Sequence, residues 1–106
     1  MSVIMTLWVQ GDPRKLEEHA AANAEEMHGI ADTAKRHGLI AHRFYGSDDG
    51  QIMVIDEWPD EQSFQSFFEE ARERIDPLMR AAGASSEPQI RFWRKLETGD
   101  EVGWED

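Results

Sequence analysis

The chain has no cysteine among its 106 residues. That absence excludes disulfides, thiol nucleophiles and thiolate metal sites, and it leaves four dispersed histidines as the only soft ligands. No two of these histidines share metal-ligand spacing with a carboxylate on one expected face, so no metal site is expected. Positive charge is also scarce. Eleven basic residues face 22 acidic ones, and the formal net charge of −11 creates a field that repels phosphate backbones and anionic lipid headgroups. Neither nucleic acid nor a membrane surface is an expected partner. No apolar run approaches the length of a membrane span, and Met1–Met5 has neither a basic leader region nor a small-residue cleavage site, so a cytoplasmic location is expected. Gly46, Gly50 and Gly83 are isolated turn or cap glycines rather than a phosphate-binding loop, and no serine sits near an expected His–carboxylate relay.

With 40% apolar and 31% charged residues, what remains is the composition of a globular chain long enough for one compact core. That core is expected to occupy residues 1–96. The last ten residues, 97–106, carry five acidic and no basic side chains and are expected to be either a mobile acidic tail or an arm that docks through Trp104.

Residues 3–9, rich in branched and aromatic types, predict a strand ended by Gly11-Asp12-Pro13. Asp12 is placed to cap a helix with Pro13 at its first position, and Leu16, Ala20, Asn23, Met27, Ile30 and Ala34 recur at helical spacing until Gly38. Gly29 in mid-helix predicts a bend. Residues 39–45 and 51–58 flank a turn at Asp49-Gly50 and predict a β-hairpin. Asp60 caps a second helix whose buried stripe is Phe64, Phe67, Phe68, Ala71, Ile75, Leu78 and Met79, with a restart expected at Asp76-Pro77, and Pro88–Leu96 predicts a last strand. The order β-α-β-β-α-β is that of an α+β, ferredoxin-like fold with a four-stranded antiparallel sheet.

Both faces of these strands are apolar. In the first, Val3, Met5, Leu7 and Val9 oppose Ile4 and Trp8; in the third, Ile52, Val54 and Trp58 oppose Met53 and Ile55. Two helices cover one face of such a sheet and nothing else in the chain is long enough to cover the other, so a homodimer is expected.

The segment Val54-Ile55-Asp56-Glu57-Trp58-Pro59-Asp60-Glu61-Gln62-Ser63-Phe64, a strand ending in Glu-x-Trp or a close variant and followed by a capped helix, resembles the dimeric α/β-barrel superfamily and within it the antibiotic biosynthesis monooxygenase-like domains. The resemblance covers about residues 2–96. It implies two sheets packed face to face across a dimer, each subunit keeping a pocket between its own sheet and helices. Such domains include cofactor-free monooxygenases, haem-degrading enzymes, isomerases and small-ligand binders. Haem-degrading relatives use a His and a Trp on the second helix and an Asn on the first strand; residues 59–82 contain neither His nor Trp and the first strand has no Asn, so no cofactor is expected.

A two-residue turn at Asp49-Gly50 would place His42 opposite Glu57 and Arg43 opposite Asp56. A histidine oriented by a carboxylate is the usual arrangement for a general base, which makes His42 and Glu57 the catalytic candidates; either pair also serves as an ordinary cross-strand ion pair. Trp8, Tyr45, Trp58 and Trp93 are candidates to wall a pocket for an aromatic ligand, or else are core. In the fold that the resemblance implies, a bent first helix borders the pocket mouth, which adds Asn23 and His28. Three functions stay open: a cofactor-independent monooxygenase acting on an aromatic phenol or quinol, a non-catalytic binder of a small aromatic or apolar ligand, and an architectural dimer.

Overall fold

The computed structural model describes residues 1–103. Trp104, with the docking arm expected of it, lies outside the described residues. The chain runs β1 (Val3–Gln10), α1 (Pro13–Ala22), α2 (Ala24–Arg36), β2 (Ala41–Gly46), β3 (Gln51–Trp58), α3 (Glu61–Ala81) and β4 (Gln89–Arg94). The strands form one antiparallel sheet in the order β2-β3-β1-β4, so the two most apolar strands lie at its centre and the two shorter ones at its edges.

Alternation sorts the strand residues cleanly. Met5, Leu7 and Val9 of β1 and Ile52, Val54 and Trp58 of β3 are buried beneath the helices, where they meet Leu16, Ala34, Phe64, Phe67, Ala71 and Leu78. The opposite face carries Ile4, Thr6 and Trp8, Met53 and Ile55, Tyr45 and Trp93, and no helix among the described residues covers it. Tyr45 and Trp93 are each nearly half exposed there.

The first helical stretch is broken at Asn23, not bent at Gly29. Asn23 leaves helical geometry (φ −132°, ψ 45°), and its side-chain amide donates to the His19 carbonyl at 2.9 Å, a local bond that competes with the helical ladder. Gly29 lies inside α2 for another reason: a Cβ there would sit 2.3 Å from Nη2 of Arg74. The Arg74 guanidinium crosses α2 at this point, donating from Nε to Glu26 (3.0 Å) and from Nη1 to the buried Thr33 hydroxyl (3.2 Å), and so ties α3 to α2. At the far end of α2, His37 and Arg36 reach Glu70 of α3 at 2.9 and 3.5 Å, and the hydrogen bond from His37 holds the Glu70 carboxyl below its ordinary value.

Helix α3 passes through Pro77 without restarting. Pro77, Asp76 and Glu73 are all exposed, so the Glu73 carbonyl that loses its helical donor faces water, while Leu78 on the opposite side stays packed.

The hairpin turn is one residue longer than a two-residue turn at Asp49-Gly50. Ser47 and Gln51 bracket Asp48-Asp49-Gly50: Ser47 N–H donates to the Gln51 carbonyl at 3.0 Å and Gln51 N–H to Ser47 Oγ at 3.1 Å. Gly50 takes a left-handed conformation (φ 84°), the usual place for glycine in a three-residue hairpin loop. Its carbonyl then accepts from Gly11 N–H at 2.9 Å, docking the turn onto the β1–α1 connection. The register becomes Ala41↔Glu57, His42↔Asp56 and Arg43↔Ile55. A slip of one residue puts every side chain of the strand on the opposite face.

The Gly29–Arg74 packing carries a stability prediction. Gly→Ala inside a helix ordinarily gains up to about 1 kcal/mol. Gly29→Ala alone is expected to show no such gain, because Arg74 must leave Thr33 and Glu26, whereas in an Arg74→Ala background the gain returns; urea denaturation of the four proteins of this cycle measures the difference.

Candidate functional site

Between sheet and helices lies a cavity of about 100 Å³. Strands supply Met5, Leu7, Phe44 and Val54; α2 supplies Met27, Ile30, Ala31 and Ala34; α3 supplies Phe64, Phe67, Phe68, Ile75, Leu78 and Met79. The lining is apolar except where His42 and Asp56 stand together. They are the titratable residues of the cavity.

Asp56 is 5% exposed. A carboxylate so far from water needs donors on both oxygens, and it has them. His42 Nδ1 lies 2.7 Å from Oδ1, and Trp58 Nε1, two residues along the same strand face, donates to Oδ2 at 3.1 Å. Against an ionised carboxylate, which only accepts, Nδ1 is the donor, and in the neutral ring that tautomer leaves the lone pair on Nε2. The His42 side chain is 35% exposed, and its ring packs edge-on against Phe44 at 5.1 Å. An imidazole oriented by a buried carboxylate beside an apolar cavity is equipped, in its neutral form, to take a proton from a bound weak acid.

The expected His42–Glu57 pair does not form. Glu57 stands opposite Ala41 on the sheet face away from the helices, where the Ser2 hydroxyl donates to it. Arg43 stands opposite Ile55 on that same face and donates to the Tyr45 hydroxyl at 3.3 Å, so the Arg43–Asp56 pair does not form either. The extra turn residue is the cause of both corrections. Trp8, Tyr45 and Trp93 share the outer face and do not line the cavity. Trp8 Nε1 donates to Gln51 at 2.8 Å and Trp93 Nε1 to Thr6 at 2.9 Å, with Arg91 over the Trp93 ring. Trp58 is fully buried behind the cavity wall, 5.9 Å from the Phe64 ring and 5.4 Å from Phe67, and acts on the site through Asp56. Asn23 and His28 are exposed on the helices and do not line it.

The residue that replaces Glu57 is Asp56, and its signal is present in the sequence: it is the one charged residue on the strand face otherwise made of Ile52, Val54 and Trp58. Met27, Phe67 and Phe68 carried only the signature of buried helix stripe, because lining a core cavity and filling a core call for the same side chains. Among the described residues no group of three or more His, Asp or Glu side chains is arranged to hold a metal ion, and His42 with Asp56 offers two ligands where catalytic sites use three. No described helix is long and apolar enough to cross a membrane.

This architecture, an antiparallel ferredoxin-like sheet with helices on one face, is shared with solved structures that include putative antibiotic biosynthesis monooxygenases and a dimeric ferredoxin-like protein. No family model matches the chain and no curated protein does. Among solved structures, a monooxygenase from the gene ActVA-Orf6 of Streptomyces coelicolor, in complex with Nanaomycin D, superposes with a TM-score of 0.62 at 19% identity, over 92% of this chain and 88% of that one. SnoaB, a cofactor-independent oxygenase from Streptomyces nogalater, gives 0.57 at 18% identity over 94% and 97%. A dimeric ferredoxin-like protein from an uncultured marine organism gives 0.60 at 13% identity over 91% and 89%.

The Asp56–His42 contact predicts a tautomer switch. In Asp56→Asn the amide can still accept from Trp58 but must offer its NH2 group to Nδ1, so the neutral imidazole is expected to move its proton to Nε2 with the fold retained. Nitrogen-15 chemical shifts of the His42 ring read this directly; an unchanged tautomer would mean that Asp56 does not orient the ring.

Proposed function

We propose that the protein is a homodimer that handles a small aromatic molecule and acts as a cofactor-independent monooxygenase on a phenol or quinol, with His42 as the general base and Asp56 as its positioning residue. The observation that carries the reading is the 2.7 Å contact between His42 Nδ1 and the buried Asp56 carboxylate in the wall of an otherwise apolar cavity. A phenolic hydroxyl facing Nε2 gives up its proton, and the apolar lining leaves the phenolate without water, which raises its tendency to donate an electron. The phenolate passes one electron to O2, and the resulting radical pair closes a C–O bond at a ring carbon bearing hydrogen. Loss of that hydrogen with cleavage of the O–O bond leaves a quinone carbonyl, and the second oxygen departs as water with the two hydrogens the substrate has lost. Substrate and O2 balance the reaction between them, and the protein's part is proton transfer, orientation and exclusion of water. The cofactor-independent oxygenase among the structural neighbours lends this chemistry weight on this fold.

The dimer rests on the outer sheet face. Ile4, Trp8, Met53, Ile55 and Trp93 form an apolar surface that the helices on the other side do not cover, and sheet-to-sheet packing of a second copy would bury it. That a ferredoxin-like structural neighbour is dimeric supports a second copy as the cover.

Light scattering is expected to give twice the 12.2 kDa chain mass at micromolar concentration, and Trp93→Glu to shift the protein to the monomer. For the reaction, oxygen uptake is followed with phenols and quinols of one to three rings. His42→Ala is expected to slow uptake by roughly 10²–10⁴-fold with one O2 consumed per quinone formed in the wild type; turnover by His42→Ala equal to wild type would refute the assignment.

A further inference from the structure

We propose that Phe68 limits the ligand of this cavity to a single aromatic ring, and that it does so as a movable panel between the cavity and a larger groove outside. The inference rests on the reading of the site above and adds its substrate size and the residue that sets it.

Volume is the first argument. The cavity holds about 100 Å³, against roughly 300–1,000 Å³ for ordinary small-molecule sites. An apolar cavity of about 150 Å³ is enough for benzene. One ring therefore fits after small shifts of the half-buried Met27 and Met79, whose unbranched side chains adapt to a ligand at low cost. A fused second or third ring does not fit. Polarity is the second argument: apart from His42 and Asp56 the wall is hydrocarbon, which fits the apolar body of one ring with its hydroxyl against that pair.

The wall itself is uneven. On the far side of Phe64 and Phe68, along the edge strand β4, runs a surface groove of about 280 Å³ bordered also by Gln65, Glu69, Ile90 and Phe92. Phe64 and Phe68 line both spaces. Phe64 is fixed: it is 4% exposed and packs against Trp58 at 5.9 Å, Phe92 at 5.7 Å and Phe68 at 5.6 Å. Phe68 is only partly buried, stacked on Phe64 on one side and covered by the Arg72 guanidinium at 5.5 Å from its ring. Arg72 lies one helical turn further along α3 on the exposed surface, so this cover is a flexible side chain and not packed core. Removing the Phe68 ring joins the cavity to the groove and brings the site into the range that accepts two or three rings.

The test is calorimetric binding, without oxygen, of phenol, 1-naphthol and 9-phenanthrol to the wild-type protein and to Phe68→Ala and Phe68→Leu. The wild type is expected to bind phenol at least tenfold more tightly than 1-naphthol and to show no binding of 9-phenanthrol. Phe68→Ala should reverse the order of phenol and 1-naphthol. Phe68→Leu, which keeps an apolar side chain on the helix stripe, should narrow the ratio and carries the test if the alanine variant does not fold. Wild-type preference for 1-naphthol, or a phenol-to-naphthol ratio unmoved in both variants, overturns the proposal. Phenol binding with the expected size rule but without oxygen uptake in air would sink the oxygenase reading and leave the role of Phe68 standing. Equal oxygen uptake on phenol and 1-naphthol by the wild type would do the reverse.

Discussion

A carboxylate cannot be placed under two helices without donors for both of its oxygens, and the arrangement around Asp56 follows from that requirement. Trp58 supplies one donor from the same strand, since residues two apart share a face. The other must come across the hairpin, and the register decides whether it is His42 or Arg43. With Arg43 inward, Tyr45 would follow it into the core and Phe44 would turn to the outer face. With His42 inward, Phe44 is half-buried and the site is closed by a group that can be neutral. The three-residue loop ending at Gly50, docked by its carbonyl to Gly11, holds the second arrangement. One backbone hydrogen bond at the tip of a hairpin thus helps to set which side chain meets the carboxylate at its base.

The cavity is a by-product of how the helices are held. Helix α2 is free of α1 in direction because the chain leaves helical geometry at Asn23, and it is fixed to α3 at two points, by Arg74 reaching over Gly29 to Thr33 and Glu26 and by His37 and Arg36 on Glu70. Between these two ties α2 presents Met27, Ile30, Ala31 and Ala34, mostly small or flexible residues, to the sheet. Facing them, the Phe64, Phe67 and Trp58 rings pack at angles on one another and form a stiff wall. Small residues opposite a rigid aromatic cluster leave a gap, and the same aromatic rings that stabilise the core define the limits of that gap.

The two sheet faces divide the chemistry of the protein. Polar groups on the outer face are satisfied within it: Trp8 by Gln51, Trp93 by Thr6, Glu57 by Ser2. That leaves a surface whose aromatic bodies are exposed and whose hydrogen-bonding needs are met, which suits association with another apolar surface. The inner face keeps one polar pair for the cavity.

Element order, both helix caps and the buried stripes were legible from periodicity and punctuation, because strand alternation and helical spacing are local properties of the chain. Asp12 before Pro13 and Asp60 with Ser63 cap their helices as their positions predict. The polarity of the site was legible too, as a lone aspartate on an apolar strand face. Three features were not. The helix break at Asn23 depends on a side-chain bond that competes with the ladder. Continuity through Pro77 depends on which side of α3 faces water. The identity of the histidine's partner depends on one residue of turn length, and a shift of one in a period of two reverses every assignment on the strand. By itself, then, the sequence determined the α+β order of elements and the supply of one histidine, two neighbouring carboxylates and a set of aromatic rings. Only the tertiary structure decided that Asp56 and not Glu57 meets His42, and that Phe68 and not Trp8 or Trp93 bounds the cavity, because facing is settled by register and by which side the helices cover.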